Sequence, residues 1–273
     1  MFWDPWMKNA GRGVEGLLPH TTAVSKKGKT MYLDRYFEAM DAVLAKVRGT
    51  QRARIEQAGA MIADRLAHGG ALAVMDTGHM LRHEALCRAG GMLVIAPFAY
   101  TLNVDNTMEH RKTERATEEM AELERRTVGL ALDSSKMKRG DVLIVNSNSG
   151  RTSNVIEVAI QCRERGIATI GIASFGQMER CAAVHPAGKL IDVADLCIDN
   201  GSPHGDALVD VKDNERMCPG SGIASAYVFW AIHAEAVERL QAMGINPSIY
   251  RSVHVGGHEY IEEQRKQFLA KGI

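Results

Sequence analysis

The stretch Asp141 to Ser174, DVLIVNSNSGRTSNVIEVAIQCRERGIATIGIAS, sets a loop of hydroxyl and amide side chains between an apolar β-branched run and a helical pattern. Ser147, Ser149 and Thr152 bring hydroxyls, Asn148 an amide, Gly150 a permissive backbone and Arg151 a positive charge. No carboxylate stands among them. Where a strand turns into a helix, backbone N–H groups face outward and the positive end of the helix macrodipole favours an anion. The loop therefore reads as a cradle for a dianion such as phosphate. It has neither the GxxxxGK[ST] of a Walker loop nor the GxGxxG of a dinucleotide turn. A serine-rich turn that merely caps a helix would use the same residue types.

Two further loops argue for a ligand. Met75-Asp76-Thr77-Gly78-His79 closes an earlier apolar run, and Gly78 lets the backbone approach a bound molecule. Pro219-Gly220-Ser221-Gly222 opens a long apolar helix, bringing Ser221 to its first turn. Three small-residue loops, each leading into a helix, fit one polar site better than three separate caps. His79 and His83 are four apart, as are His254 and His258, a spacing that suits zinc on a helix. Gly256-Gly257 breaks the second pair, and Glu84 beside His83 reads as a surface charge, so neither a metal nor a cofactor is expected. His204, Asp206 and Asp210 read as turn and cap residues.

The elements that must position these loops follow from periodicity. Leu33, Tyr36, Phe37, Met40, Val43, Leu44 and Val47 mark one helix, and Ile55, Ala58, Ile62 and Leu66 a second that Gly69-Gly70 stops. Strands are expected at 71–75, 92–96, 142–145, 168–173 and 189–198, with helices near 79–89, 105–138 and 223–243. A turn at Asn246-Pro247 and a polar helix finish the chain. Short apolar strands alternating with helices indicate a parallel sheet covered on both faces. The fold class is α/β, a three-layer αβα sandwich with a mainly parallel five-stranded sheet and flavodoxin-like winding. Ligands in such folds bind beyond the C-terminal strand ends. Residues 1–30, Gly-rich and holding Trp3 and Trp6, read as an N-terminal extension, and 31–273 as a single domain with a C-terminal His/Gly segment.

Composition narrows the function classes. With 33 basic and 33 acidic residues among 273, no broad attraction to nucleic acid or an anionic membrane is implied. Five scattered cysteines without CxxC spacing argue for reduced thiols and a cytoplasmic location. The most apolar helix, around Ile223–Ala236, carries His233 and Glu235 and is too short to span a bilayer.

Over Leu33 to Met243 the chain resembles the SIS, or sugar isomerase, domain family. The resemblance rests on Thr77-Gly78-His79, on Ser147-Asn148-Ser149-Gly150-Arg151-Thr152 and on the long helix after Gly222. Segments Arg88–Gly91, Asp199–Asp206 and Pro247–Tyr250 further resemble small bacterial SIS proteins. The resemblance implies that Ser147, Ser149 and Thr152 hold the phosphate of a sugar phosphate, within carbohydrate metabolism. Met80 departs from the family pattern, where a serine is often found. The implied reaction is aldose–ketose isomerisation through an enediol. A phosphosugar lyase or etherase, or a sensor acting on a protein partner, are the alternatives.

Such an isomerase needs a base to move a proton between C1 and C2 and a second group to shuttle hydroxyl protons. Glu84 is the leading base, with Glu259 as the alternative; His79, His254 and His258 are shuttle candidates. An ion pair with Arg88 would account for Glu84 equally well. A homo-oligomer, dimer or tetramer, is expected because the apolar stripe Leu33–Val47 needs a partner surface and closed twofold assemblies dominate.

Overall fold

The computed structural model describes residues 31–78, 81–105, 108, 110 and 115–273, of which Tyr32–Ile273 form one compact unit. The extension expected at 1–30 and His79 lie outside the described residues. Helix α1 (Tyr32–Ala67) leads into strand β1 (Leu72–Asp76), short helix α2 (Leu81–Ala85) and strand β2 (Ile95–Pro97). Helix α3 (Thr117–Ser134), strand β3 (Val142–Asn146), helix α4 (Ser153–Glu164) and strand β4 (Ala168–Ala173) follow. Then come α5 (Phe175–Arg180), α6 (Leu190–Val193), β5 (Leu196–Asp199), the pair β6 (Ala207–Asp210) and β7 (Arg216–Pro219), α7 (Ser221–Ala242) and α8 (Gly257–Lys271).

The central sheet is all parallel in the order β2-β1-β3-β4-β5, with Leu72 opposite Val142 and Val142 opposite Ala168. The sandwich and the winding read from the sequence are what the chain adopts. Alternation sends successive side chains to opposite faces. Val142 and Ile144 pack with Val228, Phe229 and Ile232 of α7 and Ile62 of α1. Leu143 and Val145 pack with Val128 of α3 and Val155 and Ile156 of α4. The two helical layers therefore leave the sheet on opposite sides, with α7 and α4 starting at its C-terminal edge.

Several expectations need correction. The strand read at 92–96 is Ile95–Pro97, and the helix read near 79–89 is, among the described residues, Leu81–Ala85. The two helices read over Leu33–Leu66 are one continuous 36-residue α1. Gly49 costs about 1 kcal/mol of helix propensity, but buried Val47 and Ala58 anchor the helix on both sides of it. Gln51 is also buried, and its Oε1 accepts from the Asp199 N–H at 3.1 Å. The run 189–198 is not one strand. Asp192 Oδ2 accepts from the Lys189 N–H at 2.8 Å and closes the turn of α6 before β5 begins. The long charged helix expected over 105–138 is confined, among the described residues, to Thr117–Ser134.

The β6–β7 hairpin was not expected from the sequence. Its turn holds Asp213 and Asn214 at φ of 59° and 63°, the left-handed conformation that Asp and Asn tolerate better than other side chains. Helices α1 and α7 meet across Gly59, where a Cβ would stand 2.3 Å from Glu235 Cγ and 3.0 Å from the Ala236 nitrogen. A glycine is required there for the helices to approach. No helix among the described residues is long and apolar enough to cross a membrane.

The inner face of α7 also carries His233, buried against Trp230, with Nε2 accepting the Met92 N–H at 3.0 Å. That bond requires an unprotonated Nε2, and burial pushes the imidazole down to about 4. In the unfolded chain the ring titrates near 6.5. Between these values the unfolded state binds the extra proton, so stability is full above about pH 6.5 and falls as pH drops towards 4, by at most about 3 kcal/mol. Denaturant titrations at pH 7 and pH 4.5 should show a smaller acid-induced loss for His233→Gln than for the parent. Equal losses would mean that His233 is not the group involved.

Candidate functional site

The hydroxyl loop forms as the spacing predicts, between the end of β3 and the start of α4. Gly150 sits at φ 54° and donates to the Ser147 carbonyl at 3.0 Å, closing a tight turn. Its carbonyl accepts from Leu190 at 2.7 Å, and a Cβ at this position would stand 2.6 Å from Met178 Sδ. Conformation and space both demand glycine. Thr152 is the N-cap residue of α4 by backbone geometry (φ −70°, ψ 139°), yet its hydroxyl makes no cap bond. Among the described residues, the N–H groups of Ser149, Arg151 and Thr152 and the hydroxyls of Ser147, Ser149 and Thr152 have no hydrogen-bond partner. The first turn of α4 contains no acidic residue, and Arg151 makes no ion pair among the described residues. Free donors, a helix N-terminus and one unpaired cation thus share one loop, which suits an anion.

Beside this loop lies the switch point of the sheet, where the chain goes to β2 on one side of β1 and to β3 on the other. The Asp76 carboxylate at the end of β1 holds the two strand ends together. Its Oδ1 accepts from Gly78 N–H at 2.9 Å and from Asn146 Nδ2 at 2.7 Å, and its Oδ2 from Arg82 N–H at 3.1 Å. Thr77 returns the tie by donating its N–H to the Asn146 carbonyl at 3.1 Å and its hydroxyl at 3.3 Å. A cleft of about 430 Å³ opens here, lined by Gly78, Leu81, Asn146, Asn148, Asp206 and Ser221 among others.

Asn148 belongs to both the loop and the cleft. Its Oδ1 accepts from Asn200 Nδ2 at 3.0 Å and from Ser202 Oγ at 3.1 Å, and the same Asn200 amide reaches Ser225 Oγ at 3.1 Å. Asn200, Ser202 and Ser225 are buried. A satisfied buried network of this kind fixes side-chain orientation in low dielectric surroundings, so the loop is braced from beneath. Across the cleft, Asp206 at φ 64° caps α7. Its carboxylate accepts from Gly220 N–H at 3.2 Å, Ser221 N–H at 2.7 Å and Ser221 Oγ at 2.8 Å.

Of the predicted residues, the structure brings Gly78, Asn148 and Ser221 together in the cleft lining; Thr77 is tied to Asn146, and Ser147, Ser149, Arg151, Thr152 and Glu84 are not among the lining residues. Ser221 lines the cleft, but its hydroxyl is engaged by Asp206. Glu84, on α2, accepts from Trp230 Nε1 at 3.2 Å and stands 3.4 Å from Arg88 Nε. His254, His258 and Glu259 are exposed around the start of α8 and do not line the cleft; Gly256, at φ 64°, separates the two histidines. No cluster of three metal-ligating side chains occurs among the described residues. Sequence reasoning passed over Asp76 and Asn146, and treated Asp206 as a loop cap. The signal for the first two was a polar residue closing each of two otherwise apolar strands.

Comparison with known proteins identifies the family. A family model described as the SIS domain matches residues 35–174. A UPF0309 protein of Streptomyces griseus is 32% identical over 238 residues, spanning 83% of this chain and 90% of its own length. Another, from Shouchella clausii, is 27% identical over 239 residues, spanning 85% and 94%. Among solved structures, a phosphoheptose isomerase from Neisseria gonorrhoeae is similar at a TM-score of 0.48 and 15% identity, covering 77% of this chain and 97% of that one. The chain belongs to the SIS domain family.

The cap of α7 makes a direct prediction. Asp206→Ala leaves the Ser221 N–H without its acceptor, while the Gly220 N–H keeps the residue-206 carbonyl at 3.1 Å; loss of such a cap costs about 1–2 kcal/mol. Asp206→Asn keeps one acceptor and should cost less. Urea denaturation of the two variants checks the order; an alanine variant as stable as the parent would contradict the capping role.

Proposed function

We propose that this SIS-domain protein binds a sugar phosphate, with the phosphate on the loop Ser147–Thr152 and the carbon chain in the adjoining cleft. The observation that carries the reading is the set of unpartnered N–H and hydroxyl donors at the start of α4, in a loop without a carboxylate. Each hydrogen bond from such a donor to a charged oxygen is worth about 1.5–3 kcal/mol. The buried Asn148–Asn200–Ser202 network supports it by holding the donors in place before the ligand arrives, which lowers the ordering cost of binding.

The reaction proposed with this reading is aldose–ketose exchange. A base takes the proton from C2 of the aldose and returns it to C1, while a proton passes from the C2 hydroxyl to the C1 oxygen through the enediol. Glu84 is our candidate base. It stands on α2, after the loop that carries Gly78; α2 lines the cleft through Leu81, while Glu84 itself contacts Trp230 and Arg88 and is not among the lining residues. His254, His258 and Glu259 enter only if a second copy presents them. We propose a homodimer, supported by Leu33 and Phe37 of α1, both 55% exposed. A second reading, a phosphosugar sensor without catalysis, draws support from the cleft lining. Asp206 is its one titratable side chain among the described residues, and three donors already occupy that carboxylate.

Calorimetry across a panel of pentose and hexose phosphates tests the binding site. Ser149→Ala with Thr152→Val should weaken the best ligand at least about a hundredfold, the loss of two charge-assisted hydrogen bonds, while the fold persists. Unchanged affinity would place the anion elsewhere. In D2O, the parent protein should exchange the C2 hydrogen of that ligand and Glu84→Gln should not. Exchange by the glutamine variant at the parent's rate removes Glu84 as the base, and no exchange by the parent favours the sensor.

A further inference from the structure

Asn146 closes β3 with a feature that folding alone leaves unexplained. Its side chain lies on the sheet face of Val142 and Ile144, the face covered by α7, and the residue lines the cleft. It is 93% buried, at 7% exposure. The Asp76 carboxylate can only accept, so the amide must turn Nδ2 towards it, and the 2.7 Å bond fixes this orientation. The consequence is that Asn146 Oδ1 is buried with no hydrogen-bond partner. Buried acceptors without partners are rare in folded proteins and stand in need of a donor. An apolar residue there would forgo the bond to Asp76 but would bury no unpaired acceptor.

We propose that Asn146 Oδ1 receives a hydrogen bond from a hydroxyl on the carbon chain of the bound phosphate ester, and so selects polyol phosphates over phosphate esters lacking such a donor. The inference rests on the phosphosugar reading above and assigns a binding role to a residue outside the anion loop. Chain geometry supports it. Asn146 directly precedes Ser147, and consecutive Cα atoms are about 3.8 Å apart, so this amide stands next to the loop and, with Asn148, lines the adjoining cleft. Asn148, two residues on, turns its Oδ1 into the buried network, and its Nδ2 has no partner among the described residues. The cleft floor therefore offers one acceptor and one donor, both held by second groups. A carbon bearing a hydroxyl can satisfy both, since a hydroxyl donates and accepts. The two amides read a hydrogen-bonding group, not a charge, and a site built that way rejects the analogue lacking the group more strongly than a purely apolar pocket would.

The test compares methyl phosphate, which has the anion and no hydroxyl, with the sugar phosphate that binds the parent protein most tightly. Asn146→Leu removes the acceptor at similar volume, and Asn146→Ala does so without added bulk should the leucine variant fail to fold. Methyl phosphate should bind either variant as it binds the parent. The advantage of the sugar phosphate over methyl phosphate should shrink by about tenfold, the loss of one hydrogen bond. Variants that keep the full advantage overturn the inference and leave the anion site intact. A parent protein that binds neither ligand sinks the anion site and this inference together. Loss of methyl phosphate binding in both variants, with unchanged thermal stability, would show that Asn146 shapes the anion loop, and would also overturn it.

Discussion

The parallel pairing of β1 with β3 is the constraint on which the rest depends. Leu72 to Asp76 run beside Val142 to Asn146 in unbroken register, so two loops far apart in sequence leave the sheet at the same height. Strand alternation then assigns their side chains. Asn146 falls on the α7 face with the cleft, while Ser147 begins the turn that feeds α4 on the other face. The Asp76 bridge to Asn146 and the Thr77 bonds back to the Asn146 carbonyl lock this meeting point. The hydroxyl loop and the cleft become neighbours because the sheet reverses its winding between these two strands.

Two helices of the layers start at this edge, and they are treated oppositely. The N-terminus of α7 is closed by the chain's own Asp206, which takes two N–H groups and the Ser221 hydroxyl. The N-terminus of α4 has no side-chain cap and no acidic residue in its first turn. A capped helix start holds its positive end internally compensated; an uncapped one keeps it for a ligand. That contrast, between adjacent sites built from similar Ser/Gly loops, distinguishes an anion site from a structural turn more sharply than loop composition does. It also explains why Ser221, which reads from the sequence like the serines of the α4 loop, plays a different part: Asp206, fifteen residues earlier, already occupies it.

Much of this was legible in the residues. The apolar runs before Asp76 and Asn146, the Gly/Ser loops after them and the stop at Gly69-Gly70 identify the sheet and the edge where ligands bind. What was illegible depends on long-range partners. Leu33–Val47 and Ile55–Leu66 read as two helices until Gln51 between them is seen bonded to Asp199, and 189–198 looks like a strand until Asp192 folds it back on Lys189. Likewise Glu84, at helical spacing from Arg88, reads equally as a base or an ion pair, and only the structure adds a second partner, Trp230, 146 residues away. The orphaned oxygen of Asn146 has no sequence signature, since it follows from the direction in which Asp76 turns the amide.

The central claim, that the start of α4 is the anion site, is tested most directly by titrating inorganic phosphate into ¹⁵N-labelled protein and following backbone amide resonances. The account predicts saturable shifts concentrated on the N–H groups of Ser149 to Asn154, with those of Gly220 and Ser221 at the closed start of α7 moving least among the cleft residues. Shifts centred instead on Gly220 and Ser221, with none in the α4 loop, would contradict it.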